Sequence, residues 1–331
     1  MRRLLLPALL LAAACSVTPP RDGTRVRITI PIGASFAQVL DTLETYRLIR
    51  NRTLLKLQAR MSGADRRVKA GSYTVERGTP ADDILRRLAE GGAPPEDRFT
   101  VPEGLTVADL AALAEERLAI PADSVLAAAR DSLLADSLGI EAGSLEGFLR
   151  PETYQLPQDI SARGLVTRMA GEFLASWKPA WTARLDSLRM SRRELVTLAS
   201  IVEGEARADD ERETIAGVYH NRLRIGMALQ ADPTVQYAIL LRTGERKKRL
   251  YQKDYATPSR YNTYLHPGLP PGPVNSPGLR SIEATLYPAK VPYLFFVAGP
   301  DGRHVFSRSY AEHLRAIAAA RRARSTAPAT P

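Results

Sequence analysis

Two glutamates, Glu203 and Glu205, close a run in which Leu195, Leu198, Ala199 and Val202 recur at helical spacing. Carboxyls beside an apolar face suit acid–base chemistry, because burial raises their pKa toward neutrality and lets one keep a proton for a leaving group. Two positions apart on an α-helix is about 200° of rotation, so both cannot face one cleft if the helix continues through them. With Leu198 at zero, the apolar face centres near ~45°, Glu205 lies ~65° from that centre and Glu203 ~95°. Glu205 is the more sheltered and the better general acid; Glu203 reads as a surface or hydrogen-bonded supporting residue. The plain alternative for Glu205 is a partly exposed helix-end glutamate paired with Arg207 or a later arginine. Gly204 weakens a helix by ~1 kcal/mol relative to alanine and marks either a close backbone approach or a local break.

Further polar candidates follow along the chain. Asp209, Asp210 and Glu211 suit the start of a helix whose apolar stripe is Ile215, Val218, Tyr219 and Leu223 and whose end lies near Gly226. Asp232, just before Pro233, is expected to cap the next helix, with Gln230 as a loop amide able to hydrogen-bond a polar ligand. Residues 259–279 are dense in Pro and Gly and carry Tyr261, Asn262, Tyr264 and Asn275. Such a segment is expected outside the core, where its tyrosines and amides would suit sugar rings or merely cover the domain. Residues 293–297 and 304–306 read as strands joined by a turn at 299–302, and a last helix starts near Ser309.

The elements that precede this region open with a strand over 26–30 and a helix capped by Ser35 and Gln38 that runs to about Tyr46. Asn51 is placed to cap a second helix to Arg60, residues 71–75 form another strand, and Thr79 caps a helix that begins at Pro80 and stops at Gly91. ITIPIGASFAQVLDTL from Ile28 aligns with FTVPEGLTVADLAALA from Phe99, matching Pro31 with Pro102, Gly33 with Gly104 and Ser35 with Thr106. Each copy is a strand, a turn and a capped helix, a structural solution used twice or a small carbohydrate-binding module.

The chain has 331 residues, a formal net charge of +10 and 44% hydrophobic residues, which predicts two or three domains with real cores. One cysteine excludes an internal disulfide, and four histidines without ligand spacing exclude a structural zinc site, so no metal and no cofactor is expected. Arg2 and Arg3 precede an apolar run over residues 4–14 that ends at Cys15, which reads as an export signal too short to span a bilayer. Ala12, Ala13 and Ala14 before Cys15 resemble a lipobox, making Cys15 the expected lipidation site; the alternative is an ordinary cleaved signal. Either way the mature chain lies in the cell envelope, facing the periplasm or exterior. Its positive charge then points to an anionic wall polymer or lipid and not to nucleic acid.

LASIVEGEA from Leu198, VYHNRLRIGMALQADPTVQYA from Val218 and YNTYLHPGLPPGPVNSPG from Tyr261 resemble the endolytic murein transglycosylase family, also called YceG-like. With LEGFLRPETY from Leu145 and KAGSYTV from Lys69, the likeness extends over residues 26–315. It departs at Gly204-Glu-Ala206, where members commonly carry Lys-Glu-Thr, and at the lipobox-like start, where many have a membrane-spanning helix. The resemblance implies an α+β fold, a LysM-like module followed by a mixed, helix-rich catalytic domain with a small β-hairpin. The division expected is a signal peptide over 1–15, a linker over 16–25, the LysM-like module over 26–95, the second repeat and connecting helices over 96–190, the catalytic domain over 191–320 and a mobile tail over 321–331. It implies that Glu205 is catalytic, with Gln230, Asn262 and Tyr264 as candidate substrate-binding residues and Glu203 and Asp232 supporting. The implied partners are peptidoglycan glycan strands, the membrane through a lipid anchor or N-terminal segment, and wall-synthesis proteins. The implied reaction is non-hydrolytic cleavage of the β-1,4 bond between N-acetylmuramic acid and N-acetylglucosamine. Two rival readings are a hydrolase pairing Glu205 with Glu203 or Asp232, and a non-catalytic wall-binding scaffold.

Overall fold

The computed structural model describes residues 17–20, 22–92, 96–299 and 301–326. The leader and Cys15 lie outside the described residues, as do residues 327–331 of the expected tail. Among the described residues the chain divides into two compact units, Met1–Arg98 with Tyr154–Ile160 and Phe99–Thr153 with Ser161–Pro331.

In the first unit β1 (Arg25–Ile30) is followed by α1 (Phe36–Thr45), α2 (Arg52–Ser62), β2 (Gly71–Glu76) and α3 (Ala81–Glu90). β1 and β2 pair antiparallel with Arg25 opposite Glu76 and Ile30 opposite Gly71. The alternation of a half-buried strand puts Ile28, Ile30, Tyr73 and Val75 inward against Leu40 and Leu43 of α1, Leu55 of α2, and Ile84 and Leu88 of α3. Ser35 and Gln38 form the expected capping box, and Asn51 accepts from Leu54 N–H at 2.9 Å. Thr79 is not the cap of α3: Pro80 takes that place in an extended conformation, and the Thr79 hydroxyl donates instead to the Glu76 carbonyl at 2.6 Å.

Beyond this, β3 (Glu96–Thr100) pairs with β4 (Thr153–Pro157), and β5 (Phe295–Ala298) with β6 (His304–Ser307), the second pair antiparallel. Between β3 and β4 run α4 (Val107–Leu118), α5 (Ala122–Ala129) and α6 (Ser132–Ser137). After β4 come α7 (Ala162–Ser176), α8 (Pro179–Leu188), α9 (Arg192–Glu205), α10 (Arg212–Arg224), α11 (Asp232–Thr243), α12 (Leu279–Leu286) and, past the hairpin, α13 (Tyr310–Thr326). The fold is thus α+β, helix-rich with small two-stranded sheets. No described helix is long and apolar enough to cross a membrane.

α9 is the centre of the second unit. Its residues from Leu195 to Val202 are all buried, and α8, α10, α11 and α12 pack around it. A helix apolar all round is a core helix, which is why the wheel of its leucines shows only part of its buried surface. The Pro/Gly-rich segment overturns the expectation that it lies outside the core: residues 272–278 are all buried. Proline brings no N–H to satisfy, and three of the main-chain donors here find partners. Val274 N–H donates to Ser200 Oγ at 3.0 Å, Ser276 N–H to the Leu105 carbonyl at 2.8 Å and Gly278 N–H to Glu203 Oε2 at 3.0 Å.

Candidate active site

The C-terminal turn of α9 delivers both glutamates, but to different surroundings. The helix runs unbroken through Gly204. The reason for glycine is close approach: a Cβ there would come within 2.6 Å of Pro233 Cγ, so the first turn of α11 lies directly on this turn of α9.

Glu205 lines a cavity of about 540 Å³ together with Arg222, Gln230, Asp232, Tyr255 and Tyr264 and with residues of the β5–β6 hairpin and α13. Burial first, and the negative charge of Asp232 second, push its carboxyl up to about 7. The Tyr219 hydroxyl donates to Oε1 at 3.2 Å, and the Asp232 main-chain N–H also donates to the carboxyl; both favour the ionised form and only partly offset burial. Tyr219 is itself buried on α10, its ring edge-to-face with Phe296 at 5.7 Å, so the hydroxyl that orients Glu205 is fixed by packing. At neutral pH this carboxyl is poised to give and retake a proton.

Glu203 has no such freedom. Oε1 accepts from Arg212 Nη2 at 3.2 Å, and Oε2 accepts from Ser281 Oγ at 2.8 Å and Gly278 N–H at 3.0 Å. Its side chain is 7% exposed. The wheel leaves it farther from the core than Glu205; the packing of α12 and Arg212 over that face buries it all the same.

Asp232 does not cap α11 as expected. Ala231 occupies the cap position, Asp232 is the first helical residue, and its carboxylate accepts from the Tyr264 hydroxyl at 2.8 Å and the Tyr255 hydroxyl at 3.4 Å. Tyr264 therefore reaches the cavity already tied to Asp232. Asn262 does not reach it: it is fully buried, its amide donates to the Tyr255 and Thr257 carbonyls at 2.9 Å each, and its oxygen accepts from Tyr264 N–H at 3.0 Å. It shapes the turn that carries Tyr264. Gln230 lines the cavity from an exposed position at φ +47, between fully buried Leu229 and Ala231. Such a conformation costs glutamine of the order of 1–3 kcal/mol and is held by its surroundings.

Three groups at this site escape the sequence reading. Arg222 is buried and its guanidinium is spent on main-chain carbonyls of Leu229 at 2.5 Å and Leu294 at 2.7 Å, tying the Gln230 segment to the hairpin. Tyr219 counts there only as part of an apolar stripe. The hairpin and α13 residues that close the cavity read only as supporting strands and a terminal helix. Among the described residues no group of His, Cys, Asp and Glu could hold a metal ion.

A single proton-holding carboxyl in a polar groove on a helix-rich α+β frame defines an acid–base site for a polar substrate. The chain belongs to the YceG-like family, whose model matches residues 28–319. It is 32% identical over 308 residues to a Bacillus subtilis protein named endolytic murein transglycosylase, covering 88% of this chain and 84% of that one. It is 28% identical over 324 residues to a protein of the same name from Streptococcus pneumoniae, of whose length it covers 58%. A crystal structure of a YceG-like protein from Listeria monocytogenes superposes with a TM-score of 0.61 at 31% identity, covering 88% of this chain and 98% of that one.

Proposed function

We propose that this chain is an endolytic transglycosylase that cuts the glycan strands of peptidoglycan, with Glu205 as its acid and base. The observation that carries the reading is the Glu205 carboxyl itself, raised to about 7 and lining the cavity. Family membership and the names of the relatives supply the substrate class. Glu205 gives its proton to the glycosidic oxygen as the bond from C1 of N-acetylmuramic acid breaks. The 6-hydroxyl oxygen of the same sugar bonds to C1, and its proton passes to the Glu205 carboxylate. The product is a 1,6-anhydro end, no water is consumed and the carboxyl returns to its starting state. Because the nucleophile belongs to the substrate, its attack is intramolecular and no second activating carboxylate is required.

In this reading Gln230 and Tyr264 hold hydroxyl and acetamido groups, and Asp232 keeps Glu205 protonated by its charge. Asn262 and Glu203 support the site from behind. One specific observation favours a second reading. Asp232 shares the cavity and, with water as nucleophile, would make the pair a hydrolase. Mass spectrometry of fragments released from glycan strands decides: an end lighter by one water than the reducing sugar supports the transglycosylase, a free reducing end the hydrolase.

The first unit is read as a LysM-like wall-binding module, on its strand–helix–helix–strand order with β1 and β2 antiparallel. The leader composition supports export and lipid anchoring at Cys15, which would keep the site beside newly made wall and its synthesis proteins. Labelling of the expressed chain with a fatty-acid probe, lost on Cys15→Ala, tests the anchor.

A further inference from the structure

The cavity that holds Glu205 has a second wall which the proton transfer does not use, built from the β5–β6 hairpin and the first turns of α13. Tyr310, the first residue of α13, is 62% exposed and lines the cavity. Its ring rests against Phe295, with centroids 5.9 Å apart. Phe295 is held in turn by His313, stacked on it at 5.2 Å, and by the Arg222 guanidinium at 5.5 Å. Phe295 is therefore backing, and Tyr310 is the platform.

Two imidazoles line the same cavity, and one of them, His313, lies beside Tyr310 with centroids 6.4 Å apart. His304 is 4% exposed, its Nδ1–H donates to Glu211 Oε2 at 2.8 Å, and its main-chain N–H donates to Oε1 at 3.0 Å. With Nδ1 committed to Glu211, Nε2 is the ring nitrogen left for a ligand on a ring that lines the cavity. His313 also lines it, and its Nδ1 is buried without a hydrogen-bond partner. Burial, and then the charge of Arg222, hold the His313 imidazole below the usual histidine range and so neutral. A buried nitrogen left unpaired costs roughly 1–3 kcal/mol, so the ring is held here by packing on Phe295 and not by a hydrogen bond at Nδ1.

An exposed aromatic face in a cavity that also carries fixed imidazoles matches a pyranose, whose C–H face is apolar and whose rim carries hydroxyl and amide groups. A purely apolar ligand would leave both imidazole nitrogens unpaired. We propose that this wall is a saccharide subsite, where one N-acetylhexosamine ring of the strand, other than the ring that closes on itself, lies on Tyr310 with its polar rim toward His304 Nε2 and His313. The inference rests on the glycan-cleaving reading above and adds where the strand is gripped.

The test uses the full chain carrying Glu205→Gln, so that binding is read without turnover, with a tetramer of β-1,4-linked N-acetylglucosamine as the probe. Adding Tyr310→Ala should weaken binding by about 5–10-fold, Tyr310→Phe should restore most of it, and His313→Ala should weaken it by a smaller factor. In the chain with Glu205 intact, Tyr310→Ala should raise KM on glycan strands far more than it lowers kcat. Equal affinity of Tyr310→Ala and its parent, with an unchanged melting temperature, overturns the subsite, as does a parent that binds no tetramer. A chain that binds through Tyr310 but releases no fragments overturns the Glu205 assignment and leaves the subsite standing.

Discussion

Glu203 and Glu205 leave the same helix two residues apart and end in opposite chemistry. Glu203 meets one guanidinium, one hydroxyl and one main-chain N–H, which commit both of its oxygens to protein groups. Glu205 meets a tyrosine hydroxyl, a main-chain N–H and the repelling charge of Asp232, and it faces a cavity. What separates a structural carboxylate from a proton-carrying one is the set of partners and not depth, since both are withdrawn from bulk water. Glu146 sharpens the point. Burial raises its carboxyl to about 7 as well, yet it accepts from Val107 N–H at 3.1 Å and from the Tyr237 hydroxyl at 3.1 Å, and it lies at another cavity, of about 380 Å³. A raised pKa identifies a proton holder; the cavity and its other residues decide whether the proton has a use.

The largest effect should come from breaking the cavity side of the pair. Glu205→Gln is expected to lower the rate of fragment release by ~10²–10⁴ while glycan binding survives, because it removes only proton transfer. The same change should raise stability above neutral pH. A carboxyl whose folded pKa is raised contributes stability that is present below its unfolded value and is lost as pH rises through about 7. Melting temperatures of parent and Glu205→Gln should therefore diverge as pH rises from about 4.5 to about 7 and keep a constant gap above it, with the variant the more stable at the upper end. Coincident melting curves across that range would contradict the raised carboxyl.

Breaking the other side should read out in folding. Glu203→Gln leaves Arg212, whose side chain is 9% exposed, without its buried counter-charge, a loss of about 3 kcal/mol. Arg212 keeps its pair with Asp209, so the chain should still fold. Urea denaturation should show the loss, and the pH at which turnover falls should stay where it is in the parent. A shifted pH limb in Glu203→Gln would mean that the two glutamates are one coupled system.

The pH profile separates the neighbours of Glu205 by sign. Turnover that begins with a protonated Glu205 should fall as pH rises through about 7. Asp232→Asn removes the repelling charge and should move that limb to lower pH, whereas Tyr219→Phe removes a hydrogen bond to the ionised form and should move it to higher pH. Shifts of the same sign in both variants would show that packing, and not charge and hydrogen bonding, sets the limb.

Local chemistry was the legible part of the fold. Ser35 and Thr106 cap their helices with boxes through Gln38 and Asp109, and the aligned Gly33 and Gly104 both turn the chain at positive φ, +77 and +76. These are decided within four residues, so a pattern suffices to find them. The failures all involve distant partners. Asp232 has the residue type and place of a cap, but two tyrosines about 20 to 30 positions away take its carboxylate. Asn262 looks like an exposed amide until residues 255 and 257 are folded under it. Burial of residues 272–278 follows from acceptors on α9 and near Leu105, which no local window contains. The helical wheel and the family likeness both single out Glu205 as the candidate, whereas Tyr219, whose hydroxyl donates to it, needs the tertiary fold.

The smallest effect is the most discriminating, because it tests whether the cavity side of the pair can be altered without loss of stability. Gln230 sits at φ +47, where glycine is unstrained, and its N–H donates to the Thr263 carbonyl at 3.2 Å, a bond that glycine keeps. Gln230→Gly deletes the side chain and relieves the backbone while adding conformational freedom to the unfolded chain, so the net change should lie within about 1 kcal/mol of zero. If the side chain holds a substrate group, KM on glycan strands should rise several-fold with kcat little changed. That response is the inverse of Glu203→Gln, which loses stability and keeps its pH limb. A Gln230→Gly chain that lost several kcal/mol would mean that the amide is a structural element of the turn, and the division between a braced side and a working side of α9 would have to be drawn elsewhere.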